Sequence, residues 1–382
     1  MLHSGSMIQS RERLVELVRK LRDAETLGLD VEGDGLYRYR SRLCTLQIGD
    51  AEEVAVIDAL AITDLSPLAP LLGEQGPRKV VHDVSFDRKM LATRKLPLAN
   101  VFDTSVAARF LGESSTGLAT LLEARFGVKL NKKYQKADWG ERPIDEERLA
   151  YLVADVRHLP ALASQFEQQG RELDLLEEFD EETRYAMDRA LDPEVVREPW
   201  TRIKGVRELK GEGLAALRAL ADAREREAEE ADVPPFRIAS NRVLFEAARR
   251  RPRSIKDLRR IRGLSKMPKA ALEEALVAAR RDGPPTAGPT DPAPPSEERA
   301  ERKLREKALS KWRKAQADAR GVVEQAVLPG HCLRDLARLS ELSASAVAGV
   351  RGLGQKRADA YGAAWIELLR AADTPADKSA GK

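Results

Sequence analysis

Cysteine is nearly missing from this 382-residue chain. Cys44 and Cys332 are the only two and stand far apart, which excludes a disulfide framework. Histidine is as sparse: His3, His82, His158 and His331 are dispersed, so no His/Cys cluster of zinc-binding spacing exists. No run of about 18 apolar residues occurs, which excludes a transmembrane helix on hydropathy. The opening MLHSGSMIQSRERLVELVRK lacks an apolar signal core and turns directly into an amphipathic pattern. Together these gaps predict a cytoplasmic protein with no membrane partner.

Charge is what the chain has in quantity. Charged residues make up 33% and hydrophobic ones 42%, enough apolar material for packed cores. This length accommodates two or three domains of about 100–200 residues each. The formal net charge of +3 hides an asymmetry. Residues 1–195 carry 26 Lys and Arg against 35 Asp and Glu, a net of −9; the remainder carries 39 against 27, a net of +12. A basic second half would raise the local concentration of a polyanion, although many lysines and arginines only solvate a surface.

Five residues of the acidic half stand out: Asp30 and Glu32 in LGLDVEGDG, Asp87 in VVHDVSFDRKML, and Tyr151 and Asp155 in YLVADVRHL. On a strand, alternate side chains share a face, so Asp30 and Glu32 project together. On a helix, residues four apart stack one turn from each other, as Tyr151 and Asp155 would. Carboxylates in mainly apolar stretches are costly to bury unless a cation neutralises them. An all-oxygen donor set suits Mg²⁺ or Mn²⁺ rather than zinc. Two such ions roughly 3.5–4 Å apart clamp a phosphodiester, and a nearby phenol positions water. Singly each motif is commonplace; it is their conjunction in this order that points to one site. His82 and His158 have no partner in their motifs and read as structural.

The rest of the chain organises around this. IQSRERLVELVRKLR has helical spacing; TLGLDVE, LCTLQIG, EVAVIDA and KVVHDV read as strands, and NVFDTS as a further short one. Asp103 there suits a helix N-cap as well as a supporting acid. GLATLLEARFG and a segment from about Ile144 read as helices. The intervening loop KLNKKYQKADWGERP offers Lys132, Lys133, Lys136 and Trp139 for phosphate and base contacts, with Trp139 better read as the loop's anchor. Beyond residue 205 the pattern is helical. A dense basic stretch there includes Arg250, Arg251, Arg259 and Arg260, with Asp257 its only acid. A Pro-rich linker follows, then a second helical unit in which Arg351-Gly352-Leu353 repeats Arg262-Gly263-Leu264.

These motifs resemble those of the DEDD exonucleases, tyrosine subtype, and in particular of the ribonuclease D family. HDVSFD, YLVADV, SRLCTLQIG and the whole of KADWGERPIDEERLAYLVADV are similar to that family, and LKGEGLAALRALADAREREAEEADVPPFRI resembles the helicase-and-RNase-D C-terminal (HRDC) domain. In one departure, Gly33 stands where family members often carry an aromatic after D-x-E. The resemblance implies an α/β ribonuclease-H-like exonuclease domain, a mixed sheet flanked by helices, followed by two all-α HRDC bundles. The expected boundaries are an exonuclease domain at 1–190, a connector at 191–204, HRDC bundles at 205–282 and 299–372, a linker at 283–298 and a disordered tail at 373–382.

The resemblance further implies a 3′-to-5′ exoribonuclease; the chain is expected to act as a monomer, although the sequence does not fix its oligomeric state. It would trim tRNA precursors and other small structured RNA 3′ ends with two divalent ions, Mg²⁺ or Mn²⁺, and release 5′-monophosphates. Asp30 would bridge the ions, Glu32 and Asp155 would hold the one carrying the attacking water, Asp87 would support the other, and Tyr151 would orient the water. RGLGQKRADAYG also resembles a helix-hairpin-helix turn, in which Lys356 and Arg357 would pair phosphate. A DNA 3′-end exonuclease and a non-catalytic RNA-binding protein are the alternatives.

Overall fold

Leu27, Leu29 and Val31 alternate with smaller or polar residues, and each is at most 2% exposed. That period of two builds the central strand of the sheet. A computed structural model describes residues 7–50, 52–193, 198–285 and 295–373. Part of the connector, most of the Pro-rich linker and the tail after Asp373 lie outside the described residues. The strands are β1 (Met7–Ile8), β2 (Thr26–Gly33), β3 (Leu43–Gly49), β4 (Val54–Asp58), β5 (Arg78–Val81) and β6 (Val101–Asp103). Their order is β1-β4-β3-β2-β5-β6. β3 runs antiparallel to both β2 and β4; β2, β5 and β6 are mutually parallel. The sheet is therefore mixed, with helices against it.

Two features differ from the sequence reading. Met7–Ile8 forms an edge strand parallel to β4 before the first helix, Arg11–Leu21, begins. Two long helices, Leu159–Glu172 and Leu176–Ala190, follow the Tyr151 helix. His158 ends one helix and precedes the next, so apolar periodicity runs across the junction without a visible break.

The chain divides into two compact units. One contains the sheet, its helices and the second bundle. In that bundle Ser296–Arg320 and Gln355–Asp373 pack around Leu309, Trp365 and Leu369. The other unit contains the first bundle and the segment Asp34–Arg42, which joins it through Arg38–Asp232 at 3.1 Å and Arg40–Glu229 at 3.0 Å. Its long helix Glu212–Glu230 buries a row of alanines, and these let Asn241–Arg249 and Lys269–Asp282 approach closely. The repeated tripeptide is the same turn twice: Gly263 at φ +102° and Gly352 at φ +78°, each followed by a buried leucine. Only glycine enters this left-handed region without strain.

Candidate active site

The site begins with the pleat of β2. Asp30 and Glu32 point to one face while Val31 packs into the core on the other. Gly28, two residues earlier, shares their face. A side chain there would meet the Val156 carbonyl at 2.7 Å, so its absence lets the helix Glu146–Arg157 lie against the strand. That contact brings Asp155 to Asp30 and Glu32. One oxygen from each of the three falls within 4.8 Å of the others. The helix starts at Glu146, because Asp145 caps it by accepting from the Arg148 N–H at 2.8 Å.

Asp87 comes from the first turn of the helix Val84–Thr93. It is 2% exposed, and its Oδ2 meets no donor. Burial, then the charge of Asp30, pushes its carboxyl well above the ordinary range. Burial also lifts Asp30 to about 7, with Asp155 adding to the effect, and Glu32 to about 9, with Asp30 and Asp155 adding. Asp155 rises to about 6 by burial, partly offset by the hydrogen bond that Tyr151 donates to it. Asp87 stands outside the three-oxygen cluster and does not line the cleft over it, although Asp30 and Glu32 act on it electrostatically. Three clustered carboxylates with this orphaned oxygen nearby fit a cationic occupant: positive charge would relieve both the desolvation and the mutual repulsion.

Tyr151 stacks on Trp139 with centroids 5.8 Å apart and meets Tyr134 edge-on at 6.0 Å. Burial and the Asp155 charge keep its phenol protonated. A cleft of about 370 Å³ opens over Asp30, Glu32, Tyr151 and Asp155, and His82, Phe86 and Lys132 also line it. Sequence reasoning passed over Phe86, which is 46% exposed beside the acids. It also missed Thr45 and Gln47, which lie opposite Glu32 and Asp30 on β3 and are fully buried, Gln47 donating to Thr45 at 2.7 Å. Polar residues inside an otherwise apolar strand were the available signal.

The expected RNA contacts separate into groups. Lys132 borders the cleft, Lys133 pairs with Glu147 at 3.0 Å, and Lys136 is exposed. Arg250, Arg251, Arg259 and Arg260 are exposed on the first bundle. Trp139 is 2% exposed and serves as an anchor, not a substrate contact. The hairpin residues are a correction. Arg357 is 1% exposed and donates to the Ala326 and Leu353 carbonyls at 3.0 and 2.9 Å. Lys356 pairs with Glu178 and Asp174, each at 3.0 Å. A side chain on Gly352 would strike Tyr185, so this turn docks on the sheet domain instead of opening to phosphate. Asp103 is an N-cap, accepting from Ser105 at 2.8 Å, and His82 contacts the Thr104 hydroxyl at 2.9 Å.

Fold and site together define the class: a 3′-5′ exonuclease on a mixed sheet, carrying two helical bundles. Comparison with known proteins agrees. Residues 6–171 match the family model described as 3'-5' exonuclease, and residues 213–279 and 304–369 each match the HRDC domain. Ribonuclease D of Zymomonas mobilis subsp. mobilis is 35% identical over 272 residues, covering 68% of this chain and 67% of that protein. Ribonuclease D of Escherichia coli is 30% identical over 255 residues, 66% of this chain and 68% of that one. Its crystal structure, titled as that of an exoribonuclease involved in structured RNA processing, superposes with a TM-score of 0.67 at 24% identity, covering 96% and 98% of the two chains. The catalytic core of RRP6 from Trypanosoma brucei gives 0.63 at 25% identity, covering 72% of this chain and 78% of that one.

The chain belongs to the ribonuclease D family. It is a 3′-5′ exoribonuclease, of a metal-dependent exonuclease family. Among the described residues no helix is long and apolar enough to cross a membrane.

Proposed function

We propose that the chain trims the 3′ ends of tRNA precursors and other small structured RNAs, hydrolysing the terminal phosphodiester to release nucleoside 5′-monophosphates. Asp30, Glu32, Asp87 and Asp155 would hold two divalent ions, Mg²⁺ or Mn²⁺. Such ions, when bound, supply an activated water and neutralise charge on the leaving 3′-oxygen. The observation that carries this reading is the meeting of Asp30, Glu32 and Asp155 within 4.8 Å, beside the orphaned oxygen of Asp87.

The other groups act by position. Tyr151, clamped by Trp139 and joined to Asp155, presents a hydroxyl that orients the attacking water toward phosphorus. Phe86 stands exposed where a terminal base would stack, a role that Gly33 cannot fill. Lys132 at the rim meets phosphate, as do Lys133 and Lys136 on the same loop, and the exposed arginines of the first bundle grip the folded body of the RNA. One chain supplies all five groups, which favours action as a monomer; the site of action is cytoplasmic.

The test is a 5′-labelled tRNA precursor with purified protein. Stepwise shortening that EDTA stops, and that Asp30→Asn abolishes while RNA binding persists, is the expected result. Undiminished shortening by Asp30→Asn would refute the assignment.

A further inference from the structure

The acidic cleft reaches the first turn of the helix Val84–Thr93, where His82 and Phe86 line it. Asp83 and Ser85, from the same turn, line a second cleft of about 550 Å³. Its walls include the helices Thr104–Phe110, Leu176–Ala190 and Gly330–Leu336, the last belonging to the second bundle. Each of these three helices contributes one exposed arginine: Arg109, Arg189 and Arg334. We propose that this cleft is a phosphate-binding groove for the RNA strand running to the catalytic acids, so that the second bundle contributes Arg334 directly to substrate. The proposal rests on the exoribonuclease reading above.

The convergence of three exposed arginines from three helices carries it. The cleft's acids, Asp83, Asp103 and Glu182, equal them in number, but each accepts from a donor of its own. Asp103 accepts from the backbone N–H groups of Asp83, Val84 and Ser105 at 3.0, 2.9 and 2.8 Å. Asp83 caps its own helix through the Ser85 N–H. Glu182, 7% exposed, pairs with Arg109 at 3.3 Å. Arg189 donates to the Tyr185 hydroxyl at 3.1 Å. Neither Arg189 nor Arg334 has a carboxylate partner among the described residues, so both guanidinium groups keep donors available to a ligand in the groove.

Guanidinium forks match phosphate oxygens geometrically, which an ammonium does not. Tyr185 is stacked on His331 with centroids 3.7 Å apart, so among the described residues of the groove neither ring is free to take a base. The contact is with the backbone and is independent of sequence. It explains how a domain of net negative charge retains a polyanion once its end has been shortened.

Arg189→Ala/Arg334→Ala tests it, with the Arg→Lys double variant as charge-retaining control. In EDTA, so that binding is read without turnover, the alanine protein should bind a long oligoadenylate about tenfold more weakly. The slope of log K against log salt should flatten by about 1.4, since each phosphate contact on a single strand contributes about 0.7. With Mg²⁺, KM for the long substrate should rise while cleavage of a dinucleotide, too short to reach the groove, stays unchanged. The lysine protein should recover the slope. An unchanged slope, or equal losses on dinucleotide and long RNA, would overturn the proposal. Wild-type protein that bound with the steeper slope yet shortened no RNA would sink the exoribonuclease reading and leave the groove standing.

Discussion

Asp87 shows at the scale of one residue how function opposes stability. A carboxylate this buried, with an oxygen lacking any donor and Asp30 nearby, is costly when no cation is bound. Asp87→Asn removes the charge at nearly constant shape. In EDTA it should raise Tm by about 2–4 °C, equivalent to roughly 1 kcal/mol for a protein of this kind, while metal-dependent turnover falls about 10²-fold or more. Calorimetry and RNA shortening read the two arms; a lowered Tm in EDTA would contradict the account. Tyr151→Phe keeps the stack on Trp139 and deletes only the hydroxyl. We expect kcat to drop about 10²-fold with KM nearly unchanged. A rise in KM alone would mean that the hydroxyl binds substrate instead of orienting water.

Gly28 decides the site at the scale of elements. The helix Glu146–Arg157 reaches β2 only because that position carries no side chain. Gly28→Ala forces a methyl against a backbone carbonyl, which cannot rotate aside as a side-chain tip can. A loss of about 1–3 kcal/mol in urea unfolding is expected, with a fall in kcat/KM as Asp155 moves from Asp30 and Glu32. Full activity with full stability would show that the helix position is not set there. Alternation made β2 and its D-x-E pair readable in the sequence, and four-residue spacing did the same for Tyr151 and Asp155. Gly28 was not readable, because what it touches is Val156, remote in the chain. Thr45 and Gln47 were half readable: polar residues in an apolar strand marked them, but only strand register brings them opposite the acids.

For the whole molecule, the docked second bundle is the main consequence of tertiary packing. Arg357, Lys356 and Arg320 engage the sheet domain or their own bundle, with Glu178 held between Lys356 at 3.0 Å and Arg320 at 3.7 Å. His331 lies in the same contact, stacked on Tyr185 and 3.9 Å from Glu182. Burial, then the charges of Arg334, Arg189, Arg357 and Arg109, lowers its pKa to about 4 from an ordinary 6.5. The unfolded chain therefore binds the proton more readily, and stability present above pH 6.5 is lost as pH falls toward 4. Glu182, pushed upward by burial, works in the opposite sense. His331→Phe keeps the stack without the titration, so its unfolding free energy should fall by about 1–3 kcal/mol less than wild type between pH 7 and pH 4.5. Equal pH dependence of the two would refute this. The sequence by itself determined most of the strands, the candidate acids and the two helical repeats, because these follow from local period and residue chemistry. Tertiary structure alone decided which cations remain available: Arg357 and Lys356 look like ligands for phosphate in the linear chain, and burial against neighbours remote in sequence removes them. The same packing leaves Arg189 and Arg334 without a carboxylate partner among the described residues, since pairing of charge is a property of distance in space, which the chain order does not encode.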